Sequence, residues 1–117
     1  MSDAFDRFLP LSPATLHILL SLAGDDLHGY AIMQEIARQS DGKYKLGPGT
    51  LYDNLQKLID REWMQELGHR PADDDPRRRY YRLTAAGRGV LAAETARLAD
   101  VVREARSRLQ MVKPRRA

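Results

Sequence analysis

The segment from Thr84 to Val112 places the strongest constraint on this chain. Leu91, Leu98, Ala105 and Val112 recur every seventh residue, and Thr95, Val102 and Leu109 fall between them. A 4-3 alternation of this kind is the seam of a coiled coil. Thr84 stands in front as a helix cap, so the segment predicts one long helix running to about Val112. The seam lasts three heptads, and Thr95 and Ala105 weaken it. A single helix of that length projecting from a small core leaves its seam in water. A second copy of the chain covers that seam better than the chain's own core, whose elements are already used, so the pattern predicts a homodimer.

The 117 residues suffice for one domain with a modest core. No apolar run is long enough to span a membrane. The start, "MSDAFDRFLPLSP", lacks the basic-then-apolar order of a secretory signal, so a cytoplasmic, bacterial-type setting is the expectation. The chain has no Cys, which excludes disulfides and thiolate metal sites. His17, His28 and His69 sit at unrelated spacings and form no metal cluster. With no Gly-rich phosphate loop and no Ser-His-acid arrangement, neither an enzyme nor a cofactor is expected. The net charge of +3 is unevenly spread. Residues 1–60 carry 5 basic and 8 acidic side chains, whereas residues 61–117 carry 14 and 8, and 13 of those 14 are Arg. Arg suits phosphate and planar acceptors, so the asymmetry hints at nucleic acid without naming it.

The remaining punctuation predicts three shorter helices and two strands. In "LSPATLHILLSLAG", Ser12 caps, Pro13 opens and Gly24 stops the first helix. Its apolar residues point in nearly every direction, so it must be covered on more than one side. "HGYAIMQEIARQSDG" is the second, with Tyr30, Met33, Ile36 and Ala37 as its expected inner stripe and Gly42 at its end. The third starts at "LGPGTLYDNLQKLID". Leu51, Leu55, Leu58 and Ile59 form its inner face, and Thr50, Asn54, Lys57 and Arg61 are expected to face away, with Tyr52, Asp53 and Gln56 on the borders. Trp63 to Leu67 and Arg79 to Leu83 read as strands, the second with Tyr81 and Leu83 alternating against Tyr80 and Arg82. "GHRPADDDP" between them is too long for a tight hairpin and reads as a long, mobile loop. The tail "KPRRA" reads as disordered.

Helix, helix, helix, strand, loop, strand, helix is the order of a winged helix-turn-helix. The expected fold is mainly α, three helices with a two-stranded β-wing plus a long C-terminal dimerisation helix. The divisions are 1–84 for the DNA-binding part with its N-terminal extension, 85–112 for the dimerisation helix and 113–117 for a basic tail.

"LHGYAIMQEI", "GPGTLYDNLQKLID" and "RRRYYRLTAAGR" together resemble the PadR family of bacterial transcriptional regulators. The similarity covers roughly Leu16 to Leu91, and the length resembles the short subtype with one C-terminal helix. Asp53 departs from the pattern, since many relatives carry Pro after the Leu-Tyr pair. The resemblance implies a homodimer that binds a pseudo-palindromic double-stranded operator, usually as a repressor. It implies a dimer made through the last helix and the first, which adds Leu16 to the seam residues. It also implies a small effector, often aromatic, at the dimer interface.

The residues themselves supply roles. The first amides of a helix lack internal partners and, with the dipole, attract phosphate. Pro48 fixes the approach of the chain, and Gly47 and Gly49 remove side chains that would hold DNA away. Thr50 adds a hydroxyl and Tyr52 a phenol that can also pack on the second helix. Asn54 and Gln56 can bond adenine in the major groove, with Lys57 on phosphate or guanine. Arg77, Arg78 and Arg79 at the wing can reach phosphate or a narrow minor groove, or can pair with Asp73, Asp74 and Asp75. Arg70 is a further wing candidate. Phe5, Phe8 and Leu9 form an apolar patch expected to pack on the dimer, and Trp63 is expected at the base of the wing. A winged-helix module that binds protein rather than DNA is the alternative.

Overall fold

A computed structural model describes residues 4–68 and 75–111. His69, Arg70, Asp73 and Asp74 of the wing loop, Val112, and the basic tail lie outside the described residues.

Helix α1 (Pro13–Leu22) begins as the sequence indicates. The Ser12 hydroxyl accepts the Thr15 amide at 3.2 Å, and Pro13 fills the first helical position. Ile18, Leu19 and Leu22 are buried on the core side. Strand β1 (Leu27–His28) follows, then helix α2 (Gly29–Gln39), whose cap is an imidazole: His28 Nδ1 accepts from the Ala31 amide at 3.2 Å. Asp41 and Gly42 both adopt left-handed backbone and reverse the chain, with the Gly42 amide donating to the Ala37 carbonyl at 2.7 Å. The inner stripe of α2 differs from the expected one. Gly29, Ile32 and Ile36 are buried, Met33 lies at the edge, and Tyr30 is 59% exposed. Because the helix starts at Gly29, the core line runs i, i+3, i+7 from there, and Tyr30 is turned away by one residue.

Helix α3 (Pro48–Asp60) buries Leu51, Leu55 and Leu58, as its period requires. Glu62 in left-handed backbone then turns the chain sharply into strand β2 (Met64–Glu66). Strand β3 (Tyr80–Leu83) pairs antiparallel with β2, Met64 opposite Leu83 and Glu66 opposite Tyr81. Tyr81 and Leu83 point inward. The expected two-stranded wing gains a third strand. β1 pairs with the other edge of β3, Leu27 opposite Tyr81 and His28 opposite Tyr80, so the order is β1-β3-β2. A bidentate pair between Arg82 and Asp26, at 2.7 and 3.1 Å, reinforces that edge.

Helix α4 (Ala85–Met111) is capped by Thr84, whose hydroxyl accepts the Gly87 amide at 3.0 Å and donates to the Glu62 carbonyl at 2.6 Å. Gly87 has no space for a side chain: a Cβ would collide with the Trp63 carbonyl oxygen. Val90, Leu91 and Ala93 belong to the core, and every residue from Val101 to Gln110 is exposed. The helix therefore leaves the domain as a rod, about 40 Å from end to end.

The N-terminal segment lies across the base of that rod. A 3-10 turn (Asp6–Phe8) sets the Phe5 ring where a side chain on Gly89 would stand, and the Phe8 ring meets Trp63 edge-on at 5.1 Å. Phe5, Phe8 and Leu9, expected at a dimer contact, pack partly buried on the core of their own chain. Glu94, only 1% exposed, ties the segment down. Its carboxylate accepts the Leu11 amide at 3.0 Å and pairs with Arg97 at 2.6 Å. The Arg97 guanidinium lowers the Glu94 pKa below the ordinary glutamate range, outweighing the opposing effect of burial. A lowered carboxylate pKa stabilises the fold above the unfolded value, about 4.3, and that contribution is lost as pH falls through the folded value. Glu94→Gln is therefore expected to cost about 2 kcal/mol near pH 7 and to flatten the acid limb of the stability curve. Urea midpoints from pH 7 down to pH 3 check this; parallel curves for the two proteins would contradict it.

Candidate nucleic-acid interface

The start of α3 is bare for no internal reason. Its cap, Gly47, has no side chain to bond the first-turn amides, and Pro48 occupies the first position. A Cβ added at Gly47 or at Gly49 would meet nothing within 4 Å. Packing within the chain therefore does not demand glycine at either position. What remains is a helix end with outward amides, positive dipole potential and clear approach.

The exposed face of α3 matches the expected one at Thr50, Lys57 and Arg61, but its centre lies elsewhere. At 100° per residue, Asp53, Gln56 and Asp60 fall opposite Leu51, Leu55 and Leu58, with Gly49 and Lys57 beside them. All five are exposed. Asn54, expected at the centre of this face, is half-buried and turned toward α1. It lines a cavity of about 290 Å³ with Ser12, Thr15, Lys57, Arg61 and Trp63. Its Nδ2 donates to the Thr50 carbonyl at 2.8 Å. Gln56 Nε2 donates to Asp60 Oδ1 at 2.9 Å. Thr50 is exposed at the mouth of the helix. The Tyr52 ring closes against Gly29, where a Cβ would strike its hydroxyl, while half the side chain stays in solvent. Tyr52 thereby fixes α3 against the start of α2. The exposed Tyr30 follows Gly29 on α2, one residue off the buried line of Gly29, Ile32 and Ile36.

At the base of the wing, Arg77 grips Asp75 through its side chain at 3.1 and 3.2 Å and its amide at 2.9 Å. The Arg77 side-chain bonds, then its backbone amide, bring the Asp75 pKa down to about 2. Arg79 lies 3.8 Å from Glu66, and Arg78 is exposed. Of the Arg cluster, Arg77 thus holds one of the three Asp residues in this state.

The residues expected at a seam divide into two groups. Leu91 sits in the chain's own core, Leu16 packs half-buried against that core, and Leu98 is half-buried. Thr95 is exposed and returns its hydroxyl to the Leu91 carbonyl at 2.8 Å. Ala105 is exposed, Val102 is 45% exposed and Leu109 is 73% exposed. Val101, 51% exposed, joins that stripe although the heptad pattern passes over it. Among the described residues no cluster of His, Asp and Glu is able to hold a metal ion, and no helix is long and apolar enough to cross a membrane.

Residues 18–93 match the model of the transcriptional regulator PadR-like family. The chain belongs to that family. It is 35% identical over 89 residues to transcriptional regulator Rv3488 of Mycobacterium tuberculosis, covering 76% of this chain and 78% of that protein. Its fold superposes on a PadR family transcription regulator from Clostridium difficile with a TM-score of 0.71 at 20% identity, over 84% of this chain and 99% of that one. Bacillus subtilis PadR in complex with operator DNA superposes with a TM-score of 0.62 at 21% identity, over 72% of this chain and 46% of that one. In this PadR-like chain the wing pair is directly testable. Arg77→Ala is expected to return the Asp75 carboxyl from about 2 toward the ordinary aspartate range. A carboxyl-detected NMR titration reads this, and an unmoved midpoint would remove Arg77 as the cause.

Proposed function

We propose that this PadR-like chain is a homodimeric DNA-binding regulator that represses transcription from a pseudo-palindromic operator. One observation carries the reading: α3 begins with clear, outward amides and shows solvent a face of hydrogen-bonding side chains. That combination suits a phosphate at the helix end and base edges along the helix. The operator complex of the Bacillus subtilis relative supports it, since that protein shares the fold.

Gly49 and Thr50 supply phosphate contacts, Tyr52 adds its hydroxyl, and Gln56, Lys57 and Asn54 read bases or the adjoining phosphates. Arg77, Arg78 and Arg79 take phosphates or a narrow minor groove beside them. Arg77 must exchange Asp75 for a phosphate, and an exposed ion pair of that kind is weak and screened by salt. The stripe of Leu98, Val101, Val102, Ala105 and Leu109 is the surface a second copy covers, with Thr95, Leu16 and Leu91 supporting it from the domain side. Residues 1–84 then act as the reader and 85–112 as the dimer rod, setting two α3 helices about 34 Å apart. An effector at the dimer centre would be held by aliphatic and Arg side chains, because α4 contains no aromatic residue.

Mobility shifts of promoter fragments at rising salt test the reading. Binding is expected to weaken steeply, and Arg78→Ala to lower affinity for all sequences alike while reducing the log-log salt slope by about 1. Salt-insensitive binding, or none in dilute buffer, would sink the DNA assignment. Leu109→Glu, on an exposed side chain, is expected to halve the sedimentation mass without lowering the melting temperature of the domain; an unchanged mass would remove the stripe as the interface.

A further inference from the structure

We infer that Asp53 is a specificity residue of this interface and reads cytosine, accepting the N4 amino group in the major groove. The inference rests on the DNA-binding reading above and deepens it. Asp53 lies directly opposite the buried face of α3, in its second turn, where recognition helices bring side chains to base edges. It is exposed, and among the described residues no hydrogen bond or ion pair holds it, although Lys57 stands one turn further on. The other carboxylate on the same line, Asp60, is at the far end of the helix and already accepts from Gln56.

A carboxylate at the centre of such a face has a narrow choice of partners. It can only accept, and it is repelled by the phosphates on both sides of the groove. The groove offers two base donors, cytosine N4 and adenine N6. Adenine places its N7 acceptor next to N6, which repels a carboxylate, whereas the cytosine edge carries the donor without an acceptor of its own. Asp53 therefore rewards cytosine and penalises bases that present only acceptors to it, which is discrimination by repulsion as much as by attraction.

Selection of bound fragments from random DNA, run in parallel with the full-length wild type, Asp53→Ala and Asp53→Asn, tests the inference. The wild-type motif is expected to contain, once in each half-site, a cytosine preferred roughly tenfold. Asp53→Ala is expected to lose that one preference and keep the others, with total affinity equal or higher. Asp53→Asn, able to donate and accept, is expected to move the same position toward adenine. A motif for Asp53→Ala that superimposes on the wild type, or an affinity gain spread evenly over all sequences, would overturn the inference while leaving DNA binding intact. A wild type that selects no DNA would overturn both.

Discussion

Trp63 joins the elements that the proposed DNA-reading dimer would have to hold in register. It follows α3 directly, precedes β2, and is itself buried. Its ring receives Phe8 edge-on and lies 5.0 Å from the Arg61 guanidinium. Its carbonyl accepts the Thr84 amide at 3.1 Å and blocks any side chain at Gly87. Helix α3, the wing and α4 are thus tied through one residue, partly by backbone contact. Backbone against backbone is a hard boundary, unlike a side-chain contact that can repack. In a two-fold assembly the separation of the paired α3 helices follows from the angle between α3 and α4. In the proposed dimer, a rigid joint at that angle would fix the operator spacing that is read.

The N-terminal strap secures the same joint from outside. Phe5 fills the notch at Gly89, Phe8 covers Trp63, and Leu11 hangs from Glu94. Glu94 is costly to bury alone, and it is tolerated because Arg97 and the Leu11 amide satisfy it together. The arrangement makes the first two turns of α4 part of the domain and leaves only the later turns for another chain. Leu91 is the consequence: it follows the heptad rhythm of the seam, yet the strap, α1 and the sheet already enclose it.

Local rules were legible where they act within a few residues. Ser12 and Thr84 cap as their chemistry dictates, Leu51, Leu55 and Leu58 face inward, and Tyr81 and Leu83 alternate inward on β3. Each of these depends on neighbours three or four positions away, or on a period of two. β1 was not legible, because two residues carry no periodicity and their pairing with Tyr80 and Tyr81 spans more than fifty positions. Glu94 was hidden for the same reason, its partner Leu11 being 83 residues away. Within α3 the signal existed and was misread. Counting 100° steps from Leu51, Leu55 and Leu58 puts Asp53 opposite the core and Asn54 toward α1. The exposed polar face of α3 is thus centred on Asp53, one residue away from Asn54.

The polar groups of that site are mostly occupied before any partner arrives. Asn54 bonds Thr50, Gln56 bonds Asp60, and Arg77 bonds Asp75. Exchanging such exposed contacts for DNA replaces one hydrogen bond by another, and the net change is small. They consequently position the chain more than they drive association, which falls to phosphate neutralisation and the release of counterions. A group without a local partner behaves differently, because it gives up only water when it binds a donor and meets repulsion when it does not. Asp53 is in that position at the centre of the exposed face of α3. On a surface where most contacts are interchangeable, discrimination between sequences concentrates at the one carboxylate that only a donor can satisfy.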